Sequence, residues 1–299
     1  MQIILASAKI MHDKLKSVPD ISLSTPRFQN EAQTFARDMA QYPTETIAEM
    51  LGCSQQIAAQ NRLRFMQFLD EKPKMPAILA YHGQAYKHLK AAIKREQSDA
   101  CIRSTYGRLQ GKNSAEREQA RLKAKAETLT ADDLNYSQGK LWITSFLYGL
   151  LRPLDAILPY RIEGHVELPS GEGQNMFGFW KSRLTDVLIE AVKADDGILI
   201  HLATEEYQHL FDWQRVRKEV RIIQPLFYVR KGNDLKMQAV WAKTCRGAMT
   251  RFIIENRITN PKDLHAFSYE GFVYEPTLGE LGPMGRLPEQ EPAYPHFIK

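Results

Sequence analysis

The chain has 299 residues, 43% of them hydrophobic and 25% charged, with a formal net charge of +5 and an isoelectric point near 8.9. That composition excludes the disordered, collagenous and membrane classes, and the length allows one large domain or two ordinary ones, either with a substantial core. A modest positive surplus permits a polyanionic partner without requiring one.

In chain order, QIILA at 2–6 is a short apolar run without helical spacing and predicts a buried strand, followed by a small loop from Ser7 to Lys9. AILAY at 77–81 and GILIHLA at 197–203 have the same character. EVRIIQPLFYV and LKMQAVWA flank KGND at 231–234, the pattern of a hairpin. Helical patterns cover 27–41, a pair around Gly52, 84–95, a charged stretch to about 127, 175–194 and 243–258. Asn260 before Pro261 marks the start of one more short helix at PKDLHAF. A tail rich in Pro and Gly from Pro276 predicts a surface wrap or a frayed end. The irregular order of elements predicts an α+β (mixed α/β) fold in a single compact domain over 1–299. Between Lys90 and Lys125 ten basic residues face four acidic ones, so the stretch at about 92–125 reads as a basic helical insertion.

Cys53, Cys101 and Cys245 form no CxxC pair and are odd in number, which fits neither a disulfide framework nor a thiolate metal site. Free thiols, the absence of a signal-like start in MQIILASAK and the lack of an 18-residue apolar run predict a cytoplasmic chain with no membrane contact.

TIAEMLGCSQQIAAQNR at 46–62 reads as two helices meeting at Gly52, with Thr46 and Glu49 as a capping box, Gly52 as a left-handed C-cap and Ser54 as the next N-cap. Three readings fit it. A helix-turn-helix would use Ala48 for close approach and Gln55 and Gln56 as base readers. A helix-hairpin-helix would offer backbone N–H groups at Gly52 and Ser54 to a phosphate, with Arg62 and Arg64 beside it. A plain αα-hairpin would bury Ile47, Met50, Leu51, Ile57, Leu63 and Phe65.

LYGLLRPLDAILPYRIE at 147–163 places Arg152 and the pair Tyr160, Arg161 at the two ends of a rigid element bounded by Pro153 and Pro159. Such arginines suit an anion site, with Asp155 to orient them, and suit a buried Arg–Asp pair equally well. In AKTCRGAMTRFIIENR at 242–257 the spacing predicts an apolar arc of Ala248, Met249, Phe252 and Ile253. Lys243, Arg246 and Arg257 share one edge of it, and Arg251 pairs with Glu255. That edge fits a polyanion surface or a solvated face. HLATEEYQHLF continues a strand into a helix capped by Thr204, where Glu205 and Glu206 suit the positive end of the helix dipole. Asp155 and Glu205 are the candidate acid–base residues. The chain has no GxxxxGK[ST], GxGxxG after a strand, HExxH or GxSxG, and its histidines lack ligand spacing, so no metal or cofactor is expected.

ILASAK, AILAYHGQAYKHL, LYGLLRPLDAILPYRIE, MFGFW, LATEEY and RGAMTRFIIENRITNPKDLHAF followed by SYEGFVYE together resemble the YaaA family of bacterial peroxide-stress proteins across nearly the whole chain. The resemblance implies an unusual α/β topology with a helix-hairpin-helix and a basic cleft. It also implies double-stranded DNA as partner and a role in limiting damage from hydrogen peroxide and unincorporated iron. It makes Lys9, Arg152, Arg161, Lys243, Arg246 and Arg251 the cleft residues. Ser54 stands where the hairpin's second glycine usually sits. An enzyme acting on a phosphorylated or nucleobase-containing small molecule in the same cleft is the alternative, and a monomer is expected.

Overall fold

The computed structural model describes residues 1–12, 21–68, 74–90, 128–278 and 293–299. The expected helix at 84–95 beyond residue 90, the basic stretch at 92–125 and Cys101 lie outside them. The helices among the described residues are α1 (Gln29–Gln41), α2 (Thr44–Leu51), α3 (Gln55–Phe68), α4 (Ala77–Ala80), α5 (Ala131–Gln138), α6 (Met176–Lys193), α7 (Trp213–Glu219) and α8 (Ala239–Glu255).

Strand β1 (Gln2–Ala6) is buried at four successive positions, so both faces of its sheet are covered and alternation is absent. It lies between β5 (Leu141–Ser145) and β8 (Ile198–Leu202), parallel to both; β6 (Gly149–Leu151) is an antiparallel edge beside β5, and β9 (Arg221–Ile223) runs parallel outside β8. Two short antiparallel pairs flank this sheet. One joins β2 (Ile10–Met11) to β4 (Tyr81–His82), the other β3 (Met75–Pro76) to β7 (Ala156–Ile157). A second sheet contains β10 (Leu226–Lys231), β11 (Asp234–Lys236), β12 (Ser268–Tyr269), β13 (Phe272–Tyr274) and β14 (His296–Ile298) in the order β11-β10-β14-β13-β12. Helix α8 packs on β1, β8 and β10 and so links the two sheets, while α6 packs on β6 and β8. Trp180 of α6 fits only because Gly149 faces it: a Cβ there would meet the indole at 2.8 Å.

The mixed α/β class is as expected, and several elements differ from their sequence reading. AILA is helix α4 rather than strand. A continuous apolar run cannot distinguish the two, and the leading N–H groups of this turn, on Ala77 and Ile78, are taken by the carbonyls of Asp155 and Pro153. The KGND turn is a hairpin with Gly232 at φ 61. Its arms are shorter than predicted, because RII belongs to β9 in the first sheet and AVWA already begins α8. Helix α2 starts at Thr44 behind an extended Pro43, so Thr46 lies within the helix and forms no capping box. Of the tail expected from Pro276, residues 279–292 lie outside the described ones; its last residues form β14, paired with β10 and β13, with His296, Phe297 and Ile298 all buried.

Candidate functional site

β1 leads to β5 on one side, whereas β8 leads to β9 on the other. The carboxyl ends of β1 and β8 therefore diverge in their connections, and a crevice opens there, the place where ligands enter open α/β sheets. A cavity of about 320 Å³ fills it. One wall is the turn Ser7–Lys9 after β1, another is Thr204 to Tyr207 after β8, a third is His82 to Tyr86, and Lys243 and Arg246 of α8 close it. The 82–86 segment is fixed by Tyr86, whose hydroxyl donates to the Ala6 carbonyl at 2.9 Å, and by Thr244, whose Oγ1 donates to Gln84 Oε1 at 3.2 Å. It lies so close to α8 that a Cβ on Gly247 would come within 2.0 Å of the Ala85 carbonyl oxygen.

A second hollow beside the first is lined by Ser7, Lys9, Tyr160, Arg161, Glu163 and Tyr207. Its floor is a cluster of hydroxyls: Tyr160 contacts Tyr81 at 2.7 Å and Ser145 at 2.6 Å, and Ser7 contacts Tyr207 at 2.9 Å. Burial pushes the Tyr160 phenol up to about 12, so it is a neutral hydrogen-bonding group at physiological pH. Glu163 is buried beneath two cations. Lys9 Nζ donates to its Oε2 at 2.7 Å, and Arg161 Nη2 lies 3.2 Å from Oε1. The latter contact is electrostatic rather than an aligned hydrogen bond, since Oε1 and Arg161 Nε have no hydrogen-bond partner. Arg161 is held from behind by α3: its N–H donates to Asn61 Oδ1 at 2.8 Å and its carbonyl accepts from Asn61 Nδ2 at 2.7 Å.

Of the residues proposed from sequence, Lys9, Tyr160, Arg161, Lys243 and Arg246 surround these two hollows. Arg246 is half-buried, and burial drives its guanidinium pKa down, with Glu205 partly opposing the shift. Among the described residues no carboxylate reaches ion-pair distance of it. Arg152 is brought to the opposite end of the sheet, where its guanidinium stacks 3.2 Å from the Trp142 ring and Nη1 donates to Gln2 Oε1 and the Leu141 carbonyl. Asp155 is there too, accepting from Ser24 Oγ and from the Arg152 backbone N–H, each at 2.7 Å; it orients the backbone of Arg152. Arg251 pairs with Glu255 at 2.6 Å and does not line the cavity, and Arg257 pairs with Asp133 at 2.8 Å. Glu205 is exposed on the 3-10 turn after β8, where Thr204 supplies its carbonyl to Tyr207 N–H but no side-chain cap.

The corner at Gly52 is an αα-hairpin with the glycine at φ 54, its N–H bonded to Ala48 and Glu49. Ser54 Oγ accepts from the Ile57 N–H at 3.4 Å. Ile47, Leu51 and Phe65 are buried as the packing reading predicts, but Ile57 and Leu63 are exposed, and Ala58, Asn61 and Phe68 take the inner positions. Arg62 Nε is committed to the Tyr42 carbonyl at 3.0 Å, and Arg64 is partly buried. Asn61, Glu163, Ser7 and Tyr207 were not singled out by sequence reading. Only Asn61 carried a signal, as the one amide on the buried arc Ala58, Phe65, Phe68.

Cys53 and Cys245 are free thiols; burial pushes Cys245 up to about 12, far from the thiolate that reacts with peroxide. Among the described residues no three His, Cys, Asp or Glu side chains gather to hold a metal ion, and no helix is long and apolar enough to cross a membrane.

These features define a class: a mixed α/β protein with a crevice at the switch point of its sheet, where Lys9, Lys243 and Arg246 are among the lining residues. The chain belongs to the peroxide stress protein YaaA family, whose model matches residues 1–106 and 122–278. It is 41% identical over 276 residues to a UPF0246 protein of Phocaeicola vulgatus, covering 92% of this chain and 94% of the relative. A UPF0246 protein of Bacteroides thetaiotaomicron is 37% identical over 281 residues, 94% of this chain and 95% of that one. One from Cereibacter sphaeroides is 31% identical over 261 residues, 87% of each.

Proposed function

We propose that the protein acts in the response to hydrogen peroxide, limiting damage from unincorporated iron, by holding double-stranded DNA through its sugar-phosphate backbone at the mouth of the crevice. The observation that carries this reading is the gathering of Lys9, Arg161, Lys243 and Arg246 around two adjoining hollows that share Lys9, although they come from three separate regions of the chain. Lys9 is 56% exposed and Lys243 is exposed, so both reach solvent where a strand would pass. The Gly52 hairpin adjoins the same site through Asn61 and Arg161, and the N-terminus of α3 offers backbone N–H groups to a phosphate in the helix-hairpin-helix manner.

Backbone recognition of this kind is driven by counterion release, so affinity falls steeply with salt and depends little on sequence. Fluorescence anisotropy with two unrelated labelled duplexes over a salt series is the test. Equal affinities are expected, and Lys9→Ala or Lys243→Ala should each weaken binding and lower the salt slope by about 1. Arg152→Ala, at the far end of the sheet, should leave the slope unchanged. Salt-independent binding to a single sequence, or no binding at low salt, refutes the reading.

A further inference from the structure

We infer that the interior of the crevice, as distinct from its mouth, is a receptor for one small phosphorylated molecule of nucleoside size, its phosphate held by Arg246 and its body lying between the ends of β1 and β8. The first argument is charge. Arg161, Arg183, Arg215, Arg251 and Arg257 each have a carboxylate within ion-pair distance, and Arg152 has an indole face and a carbonyl. Arg246, by contrast, faces the cavity with no carboxylate at ion-pair distance among the described residues; it is half-buried, and Glu205 acts on it only at longer range. A guanidinium partly withdrawn from water without a direct counter-ion is costly, and a bound anion offsets that cost. Lys9 and Lys243 border the same space; Lys9 is already paired with Glu163, so Arg246 and Lys243 are the cations left to hold a phosphate.

The second argument is shape. A volume of about 320 Å³ lies at the lower end of the ~300–1,000 Å³ of small-molecule pockets and is far too small for a duplex. Its lining mixes apolar surface from Leu5, Ala6, Ile10, Ala85 and Leu202 with polar side chains. Among these, Glu206 offers an acceptor and Thr204 a hydroxyl to the body of the ligand. The walls are also tied to one another: the Tyr86–Ala6 and Thr244–Gln84 hydrogen bonds and the Gly247–Ala85 contact fix the 82–86 segment against β1 and α8.

Isothermal titration of the full chain with inorganic phosphate, ribose 5-phosphate, the four nucleosides and their 5′-monophosphates tests this. At least one monophosphate should bind ten times or more tighter than both phosphate and its parent nucleoside. Arg246→Ala should lose that binding at least tenfold, Arg246→Lys should keep part of it, and Arg152→Ala all of it. Arg246→Met, which retains the packed stem, serves if the alanine variant unfolds. No binding by any monophosphate at millimolar concentration, equal binding by phosphate alone, or wild-type affinity in the Arg246 variants overturns the inference. None of these probes is a duplex, so the outcome is independent of the DNA reading.

Discussion

At the scale of single residues, the crevice is built by withdrawing ionisable groups from water. His201, at the end of β8, is 2% exposed, packs 4.9 Å from the Trp213 ring and leaves Nδ1 without a partner. Burial, reinforced by Arg246 and Arg217, lowers its pKa to about 3. The folded ring thus stays neutral from its ordinary value near 6.5 down to about 3, whereas the unfolded chain takes up a proton across that interval. More protons on the unfolded state means that stability falls as the pH falls, by about 1.4 kcal/mol per pH unit from this group once the window is fully entered. His88, lowered to about 4 by burial with help from Lys87, Arg251 and Lys90, adds in the same direction. Urea unfolding at pH 7, 6 and 5 should therefore show decreasing stability, and His201→Gln should flatten the dependence by about 1 kcal/mol per unit. An unchanged slope in the variant would show that His201 is already protonated in the folded protein.

At the scale of elements, a glycine at a helix end and one inside a helix do different work. Gly247 is an ordinary helical residue whose missing side chain lets α8 touch Ala85, where a Cβ would sit 2.0 Å from the carbonyl oxygen. Gly52 meets nothing within 4 Å but has φ +54. Gly247→Ala should therefore force α8 away from the 82–86 wall, costing about 1–3 kcal/mol and weakening anion binding at Arg246 one residue away. Gly52→Ala should cost about 1 kcal/mol through backbone strain alone and leave that binding intact. Chemical denaturation and titration of both variants separate the two effects; equal loss of binding would remove the link between α8 packing and the crevice. The conformational role of Gly52 was legible, because a glycine set between two helical patterns marks a left-handed C-cap. The packing role of Gly247 was not, since its partner lies more than 150 residues away in a segment read as helix and found as a 3-10 turn. The same limit applies to AILA, whose helical state depends on carbonyls of the Pro153–Asp155 loop.

At the scale of the whole molecule, sequence periodicity supplied β1, β8, α1, α6 and α8, the cationic motifs supplied Arg161, Lys243 and Arg246, and Lys9 came from the family resemblance alone. It could not supply the end of the sheet at which each arginine emerges. Arg152 and Arg161 are nine positions apart and stand at opposite ends: Arg152 meets Gln2 and Leu141 at the start of β1 and β5, whereas Arg161 shares Glu163 with Lys9, just beyond the end of β1. Nor could it place the terminal segment, where Pro and Gly imply irregularity yet HFI completes a sheet. Phe297 of β14 is fully buried, stacked 5.5 Å from Phe227 and set edge-on to Phe267 at 5.5 Å, with Tyr274 at 5.9 Å. These rings come from β10, from the approach to β12 and from β13, so β14 holds together strands that are otherwise joined only in pairs. Phe297→Ala would leave a cavity at that junction and should cost about 3–5 kcal/mol. Val273 lies on the same sheet but is exposed, and Val273→Ala should cost well under 1 kcal/mol. Because α8 rests on β10 as well as on β1 and β8, the first variant should also increase amide exchange along α8 and weaken anion binding at Arg246, and the second should do neither. Stability lost in Phe297→Ala without any change in exchange along α8 would mean that the second sheet is a separate cooperative unit and takes no part in forming the crevice.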